Sequence, residues 1–464
     1  MMARVRRSPS TLPTLVGLAA AMVLAGPSFA QASGGGGDPG TTAAVVGALA
    51  LVALAYLGAN LIVDRLQQWL LIVTGFEYLL LGVALGPQVP SVHVLGDLSG
   101  LMPIIALAAG WVGLLRGMDL DTLRLADRPP GTVRTVVLHH FLPGTLVGGA
   151  AYWFFYMSQG MGLMPEVSWR EAAASAFVLA CAAASDSHAP FEIVARRYEI
   201  EGPVARQLQV VSRISDVLVI LVFGVAFCLF HVPWGQTSGT DPTFAANWFL
   251  LQILLGLGLG ALFTPFLGGN ESPNGRFLAL VGIITFASGA AYFVELSPLS
   301  VNVLIGLVLV RFAKTGRLMR ETLRTTEKPM NLVLLVLAGA LWHMPSDGDS
   351  WTAAGLVFGC FLLVRLGAKW VASKVAAWGM SSMRKDLYRG LLGQGEVTIA
   401  MAVSFRVVYE GPVVDIAYTA ILASVVVMDL VAPRLLRDLL VDAGDVGRER
   451  TMLPPELAGE GKSA

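Results

Sequence analysis

The chain has 464 residues, 55% of them hydrophobic and 14% charged, with a mean hydropathy of +0.68. Soluble domains carry roughly 25% charged residues, so this composition excludes an ordinary soluble protein and indicates repeated passage through a bilayer. Lysine plus arginine balance aspartate plus glutamate at 32 each, which leaves no positive surplus for a nucleic-acid partner.

From the N-terminus, residues 1–32 read as a signal peptide. Arg4, Arg6 and Arg7 open it, Leu12 to Gly26 is apolar, and Ser28-Phe29-Ala30 supplies a small-x-small cleavage pattern. An uncleaved extra membrane helix is the competing reading. Residues 33–41, with Gly34 to Gly37, form a flexible linker. Thirteen apolar stretches then fill a transmembrane domain over 42–440: 42–63, 69–87, 100–116, 133–157, 171–195, 204–230, 246–268, 277–294, 297–313, 328–344, 351–372, 389–409 and 412–436. Each is near the roughly 20 residues a helix needs to span the hydrocarbon.

The connections alternate in charge. Arg124, Arg128 and Arg134 follow the third stretch, and Arg196, Arg197 and Arg206 surround the end of the fifth. Arg311, Lys314, Arg317, Arg320 and Arg324 crowd the loop after the ninth, and Arg384, Lys385 and Arg389 follow the eleventh. The intervening connections, such as 157–166 and 231–247, hold no lysine or arginine. The positive-inside rule then sets the mature N-terminus outside and the C-terminus, with a tail over 441–464, in the cytoplasm. A bacterial-type inner membrane is the expected setting.

Cys181, Cys228 and Cys360 lie in apolar runs, with neither disulfide nor zinc spacing. There is no phosphate-binding loop, no HExxH and no nucleophile elbow. The residues therefore argue against ATP-driven transport and enzyme chemistry, and no cofactor is expected.

Two stretches are interrupted by polar residues at membrane depth. The fifth is broken at Ser185-Asp186-Ser187-His188-Ala189-Pro190, the twelfth at Gly393-Gln394-Gly395-Glu396. Hydrocarbon hydrates neither backbone nor charge, so such segments must line a protein-enclosed cavity. Stretches one to six and eight to thirteen can form two halves joined by the seventh, with the second half inverted. The fifth stretch then corresponds to the twelfth, and Asp216 in the sixth to Asp429 in the last. Paired interruptions in corresponding positions point to the ion site of a secondary transporter.

Asp216 is the sharpest candidate, with Ser212 one helical turn before it and Ser215 adjacent. Burial penalises a charged carboxylate and a bound cation restores it, so one site can hold either a proton or a cation. A structural pair with Arg213 at i, i+3 is the competing reading. Asp186 either ligates the ion or neutralises the N-terminal dipole of a half-helix starting near Pro190, and Ser185 could offer its carbonyl. His188 is a polar cavity residue or a modulator. Glu396, with Gln394, would support the second half-helix, and Gly393 and Gly395 would permit an unwound backbone. Glu77, Arg116 and Arg365 are buried charges that pair across helices or snorkel. His139 and His140 receive no role.

Several short motifs stand in order on these stretches. They are Gly82-Val83-Ala84-Leu85-Gly86-Pro87, Gly117-Met118-Asp119-Leu120-Asp121, Ala184-Ser185-Asp186, Ser212 to Asp216, and Gln394-Gly395-Glu396. Together they resemble the monovalent cation:proton antiporter superfamily, the sodium/hydrogen exchanger fold, over most of residues 45–440. The resemblance implies an all-α membrane protein of about 13 transmembrane helices, in two inverted repeats with two broken, crossed helices. It further implies a homodimer, a dimerisation domain beside a core domain, and elevator-like exchange of H⁺ for Na⁺ or K⁺ at Asp216. The chain departs from the family's pattern at Ser215, Val211, Ser187, Arg213 and Gln394. Two alternatives on the same scaffold are a channel-like cation efflux protein and an inactive sensor in which Arg213 occupies the site.

Overall fold

The computed structural model describes residues 75–86, 102–120, 129–160, 167–231, 242–267, 272–313, 315–344, 348–380 and 383–449. The expected signal peptide, the linker, the first stretch and residues 450–464 of the tail lie outside the described residues. So do the opening residues of the second stretch.

The apolar runs fold as helices: α1 (Phe76–Leu85), α2 (Met102–Asp119), α3 (Thr132–Gly160), α4 (Trp169–Ala184), α5 (Ala189–Arg197), α6 (Pro203–Leu229), α7 (Pro242–Leu267), α8 (Pro273–Phe293), α9 (Pro298–Phe312), α10 (Gly316–Thr325), α11 (Glu327–Ala340), α12 (Gly348–Ala376), α13 (Glu396–Val408) and α14 (Pro412–Ala443). Among the described residues six of them, α2, α6, α7, α8, α12 and α14, are long and apolar enough to cross a bilayer. Local chemistry sets their starts. Proline stands in the first turn of α5, α6, α8, α9 and α14, where its missing N–H leaves no bond unmade. Ser168 and Glu171 form a reciprocal capping box at α4.

The helices pack as two groups. In the first, α9 lies between α2 and α7, with α8 and α10 against them and the α1–α11 pair alongside. Gly117 of α2 and Gly306 of α9 have no side chain because each backbone runs against the other helix. In the second, α3 packs on α4 and α12, and α13 and α14 complete the group with α5 and α6, α13 also lying along α2 and α11 of the first group. Its core, around Leu179, Ile220, Val403 and Ile421, continues onto the first group through Val112 and Val303.

Four features differ from the sequence reading. The twelfth stretch, expected as a span from 389, is α-helical only from Glu396, because a short 3-10 helix ends at Gly390 and residues 391–395 run non-helically past the first break. The loop after the ninth stretch contains a helix, α10, that buries Met319 and Leu323 while its arginines face outward or toward Asp119. The fold is not purely α: Tyr198–Ile200 (β1) pairs antiparallel with Val446–Glu449 (β2). The boundary expected at 440 falls inside α14, which runs to Ala443 and ends at Gly444 in the left-handed conformation (φ 75°). Asp445 then accepts from the Ala205 amide at 2.8 Å, satisfying an open N–H in the first turn of α6.

Candidate ion-binding site at the crossing of two interrupted helices

The two breaks meet. The chain leaves α4 at Ala184 and re-enters α5 at Ala189, and the segment between lies against residues 392–395. The Ser187 amide donates to the Gly393 carbonyl at 2.9 Å. Gln394 Nε2 donates to the Ala182 carbonyl at 2.9 Å and its Oε1 accepts from Ser424 at 2.8 Å. Thr398 Oγ1 donates to Ser185 Oγ at 3.0 Å. Gly393 and Gly395 are required by proximity, not by conformation. Gly395 is extended (φ −146°), but a Cβ there would strike the Ser187 side chain, and one at Gly393 would press on Pro190.

An interrupted helix exposes carbonyls at its C-terminal end. Two cations of α12 satisfy them. Arg365 donates to Ala183 O at 3.1 Å, Ser185 O at 3.1 Å and Leu392 O at 2.9 Å, joining both breaks through one guanidinium. Lys369 donates to Ser185 O at 3.3 Å and pairs with Asp186 Oδ1. All three charged side chains are 0% exposed; Lys369 offsets the Asp186 charge, and the three carbonyl oxygens satisfy the Arg365 guanidinium. Asp186 Oδ2 accepts from Ser215 Oγ at 2.9 Å, and His140 Nε2 donates to the Ser215 carbonyl at 3.1 Å. Both Asp186 oxygens are thus engaged by side chains, and the Ser185 carbonyl is held by two cationic donors.

Asp216 is differently placed. It is the central residue of α6, roughly 20 Å along the axis from Pro203 at 1.5 Å per residue, and 2% exposed. Its Oδ2 lies 3.9 Å from Arg116 Nε, and its Oδ1 has no hydrogen-bond partner among the described residues. A buried acceptor with an open lone pair is what a proton or a small cation requires. The competing reading paired Asp216 with Arg213; the guanidinium that approaches it is that of Arg116, from α2. Arg213 lies in the field of Asp119, Arg116, Arg320 and Arg324. Ser212 sits within hydrogen-bond distance of His188 Nδ1 (3.2 Å), and His188 stacks on Phe191.

Arg116 does more than pair once. Its guanidinium meets Asp119 at 3.2 Å, Glu327 at 3.0 Å and Glu396, in addition to Asp216. Glu396 opens α13, and its carboxylate also accepts from Asn331 of α11. Glu327 precedes the apolar part of α11, which begins at Pro329. Burial raises its carboxyl above the ordinary value, and the Arg116 charge opposes that rise.

The family profile described as sodium/hydrogen exchanger, transmembrane, matches residues 2–438. The chain belongs to this family. Its members are secondary transporters that exchange cations for protons, and the protein is accordingly a multi-pass membrane transporter and not an enzyme. The fold is similar to two structures of the sodium proton antiporter MjNhaP1 from Methanocaldococcus jannaschii. The structure at pH 8 has a TM-score of 0.55 at 16% identity, with 86% of this chain and 99% of that chain covered. An electron-microscopy structure gives 0.51 at 17% identity, over 90% and 99%. No curated protein matches the sequence.

Within this exchanger the sequence reading brought Ser185, Asp186, Ser212, Ser215, Asp216, Gln394 and Glu396 to one region, and the side chains just described connect them. The side chain of Glu77 lies outside the described residues. Lys369 and His140 were missed as participants. Lys369 carried a signal: it lies one helical turn after Arg365 in an apolar run, so both cations share a face of α12. His140 carried none, since a histidine near the start of a span is equally at home at the interface.

Proposed function

We propose that the protein is an antiporter in which Asp216 alternately holds a proton and a Na⁺ or K⁺ ion, facing each side of the membrane in turn. The observation that carries this reading is the central, buried Asp216 carboxylate, with Oδ1 open, beside two crossing helix breaks in a chain of the exchanger family. Proton and cation exclude each other on one carboxylate, which is the simplest basis for coupling. A single exchanging carboxylate favours one-for-one stoichiometry. Ser212 and Ser215 supply neighbouring oxygens suited to a hard monovalent cation. The Asp186–Lys369 pair and Arg365 hold the breaks in shape instead of carrying the ion, because Lys369 already offsets the Asp186 charge and Arg365 adds a further positive charge beside it.

Asp216 and both breaks lie in the second group of helices, which supports this reading. The second group would carry the site while the first, as a homodimer scaffold, stays fixed. Residues 42–440 would form inverted halves of about thirteen spans in an inner membrane, N-terminus outside and C-terminus in the cytoplasm, consistent with the arginine-rich loops.

The test is Asp216→Asn in proteoliposomes carrying a pH-sensitive dye, with Na⁺, K⁺ and Li⁺ added separately. The wild type dissipates a pH gradient with its preferred cation; the variant, folded to the same melting temperature, does not. Undiminished exchange by the variant defeats the assignment.

A further inference from the structure

We propose that Arg116 is a built-in competitor for the transported cation and a latch between the two helix groups, which holds the carrier still while Asp216 is empty. This rests on the assignment of Asp216 as the exchange site. Arg116 belongs to α2 in the first group. Of the four carboxylates around its guanidinium, Asp119 and Glu327 belong to the same group, whereas Asp216 and Glu396 belong to the second. One cation is therefore shared between helices that must separate and helices that stay with it. No side chain expected from the family pattern accounts for it: Arg116 was legible only as a buried charge at the end of an apolar run.

The charge arithmetic gives the device its logic. With Asp216 unprotonated and unloaded, two carboxylates of the second group hold Arg116 across the divide. A proton or a metal cation on Asp216 cancels one of them. The guanidinium is then left with Glu396 alone on the far side and with Asp119 and Glu327 on its own, and the cross-group attachment weakens. An unloaded carboxylate thus moves least, which is the condition for coupling: an empty carrier that crossed freely would let cation flow without a returning proton. The side-chain burial fits a switch at the edge of the site, because Arg116 is 12% exposed and Glu327 22%, against 3% for Asp216. The outer carboxylate is reachable and the inner one is enclosed.

Removing the competitor should tighten cation binding and loosen coupling; removing its resting partner should do the reverse. In proteoliposomes, Arg116→Gln is expected to lower the apparent KM for the cation about three- to fivefold, the range of a partly exposed ion pair. It is also expected to show cation uptake without stoichiometric proton release. Arg116→Lys, which keeps the charge but not the fork, should fall between it and the wild type. Glu327→Gln leaves the guanidinium in place and frees it to lean on Asp216, so it should raise KM by a similar factor with coupling intact. Glu327→Gln also carries the test if Arg116→Gln fails to fold. KM and coupling unchanged in Arg116→Gln, or KM unmoved or lowered in Glu327→Gln, overturns the latch. Either outcome leaves the exchange reading standing so long as Asp216→Asn is inactive. Exchange retained by Asp216→Asn instead removes the reading itself.

Discussion

Three carboxylates at the crossing have three different fates, set by what surrounds each. Asp186 is closed by Lys369 and Ser215, Glu396 faces Arg116 and Asn331, and Asp216 keeps one oxygen open. The Asp186–Lys369 pair should behave as a buried pair does: losing one member strands the other charge. Lys369→Met is expected to cost about 3–5 kcal/mol, while Lys369→Met with Asp186→Asn costs less than the single change. Thermal melting in detergent reads this directly, and a double variant less stable than either single one would show that the pair is not the relevant unit. Part of this chemistry was readable in the sequence. The positions of Asp216, Asp186 and Glu396 stand out because charge is rare in apolar runs. Which cation meets which carboxylate did not stand out, since Arg116 and Lys369 are joined to them only by the fold.

The two interrupted helices show what a local pattern can and cannot reveal. Loss of apolar character located both breaks. The second was expected to begin unwinding within a span that starts at 389, yet no α-helix forms before Glu396, because the preceding residues are bonded to Ser187, Ala182 and Arg365. Gly395 serves that contact. Gly395→Ala should therefore lower the melting temperature and exchange rate together, by overpacking that typically costs about 1–3 kcal/mol. Gly149→Ala in α3 is the control: a Cβ at Gly149 would meet nothing within 4 Å, and replacing a mid-helix glycine generally stabilises. Equal effects from the two variants would remove the crossing as the cause. Helix α10 escaped the sequence reading for the opposite reason: only two apolar side chains, Met319 and Leu323, mark its buried face inside a basic loop.

Taken as one body, the chain ties its end back to its middle. The β1–β2 pair and the Asp445 bond to Ala205 fasten the segment after α14 to the start of α6, the helix that carries Asp216. Asp445→Ala should lose about 1 kcal/mol, as other lost helix caps do, and a chain ending at Gly444 should lose at least as much. Melting in detergent compares them, and a truncated chain as stable as the full one would make the strand pair incidental. The order of the described helices was largely visible in advance, because burial in lipid imposes long apolar runs. The strand pair was invisible, because its partners are a three-residue and a four-residue segment far apart in the chain.

The bonds that Arg365 and Lys369 make to the first break have a consequence for how the protein is made. Asp186 leaves the ribosome 183 residues ahead of the lysine that neutralises it. Until α12 arrives, the carbonyls of Ala183 and Ser185 and one full negative charge wait without their final partners. The nascent chain therefore has to shelter the fifth stretch, near the channel mouth or in the wet headgroup zone, until most of translation is complete. Assembly of the second helix group is then a late and concerted event, and a chain stalled before Arg365 cannot have closed its transport core.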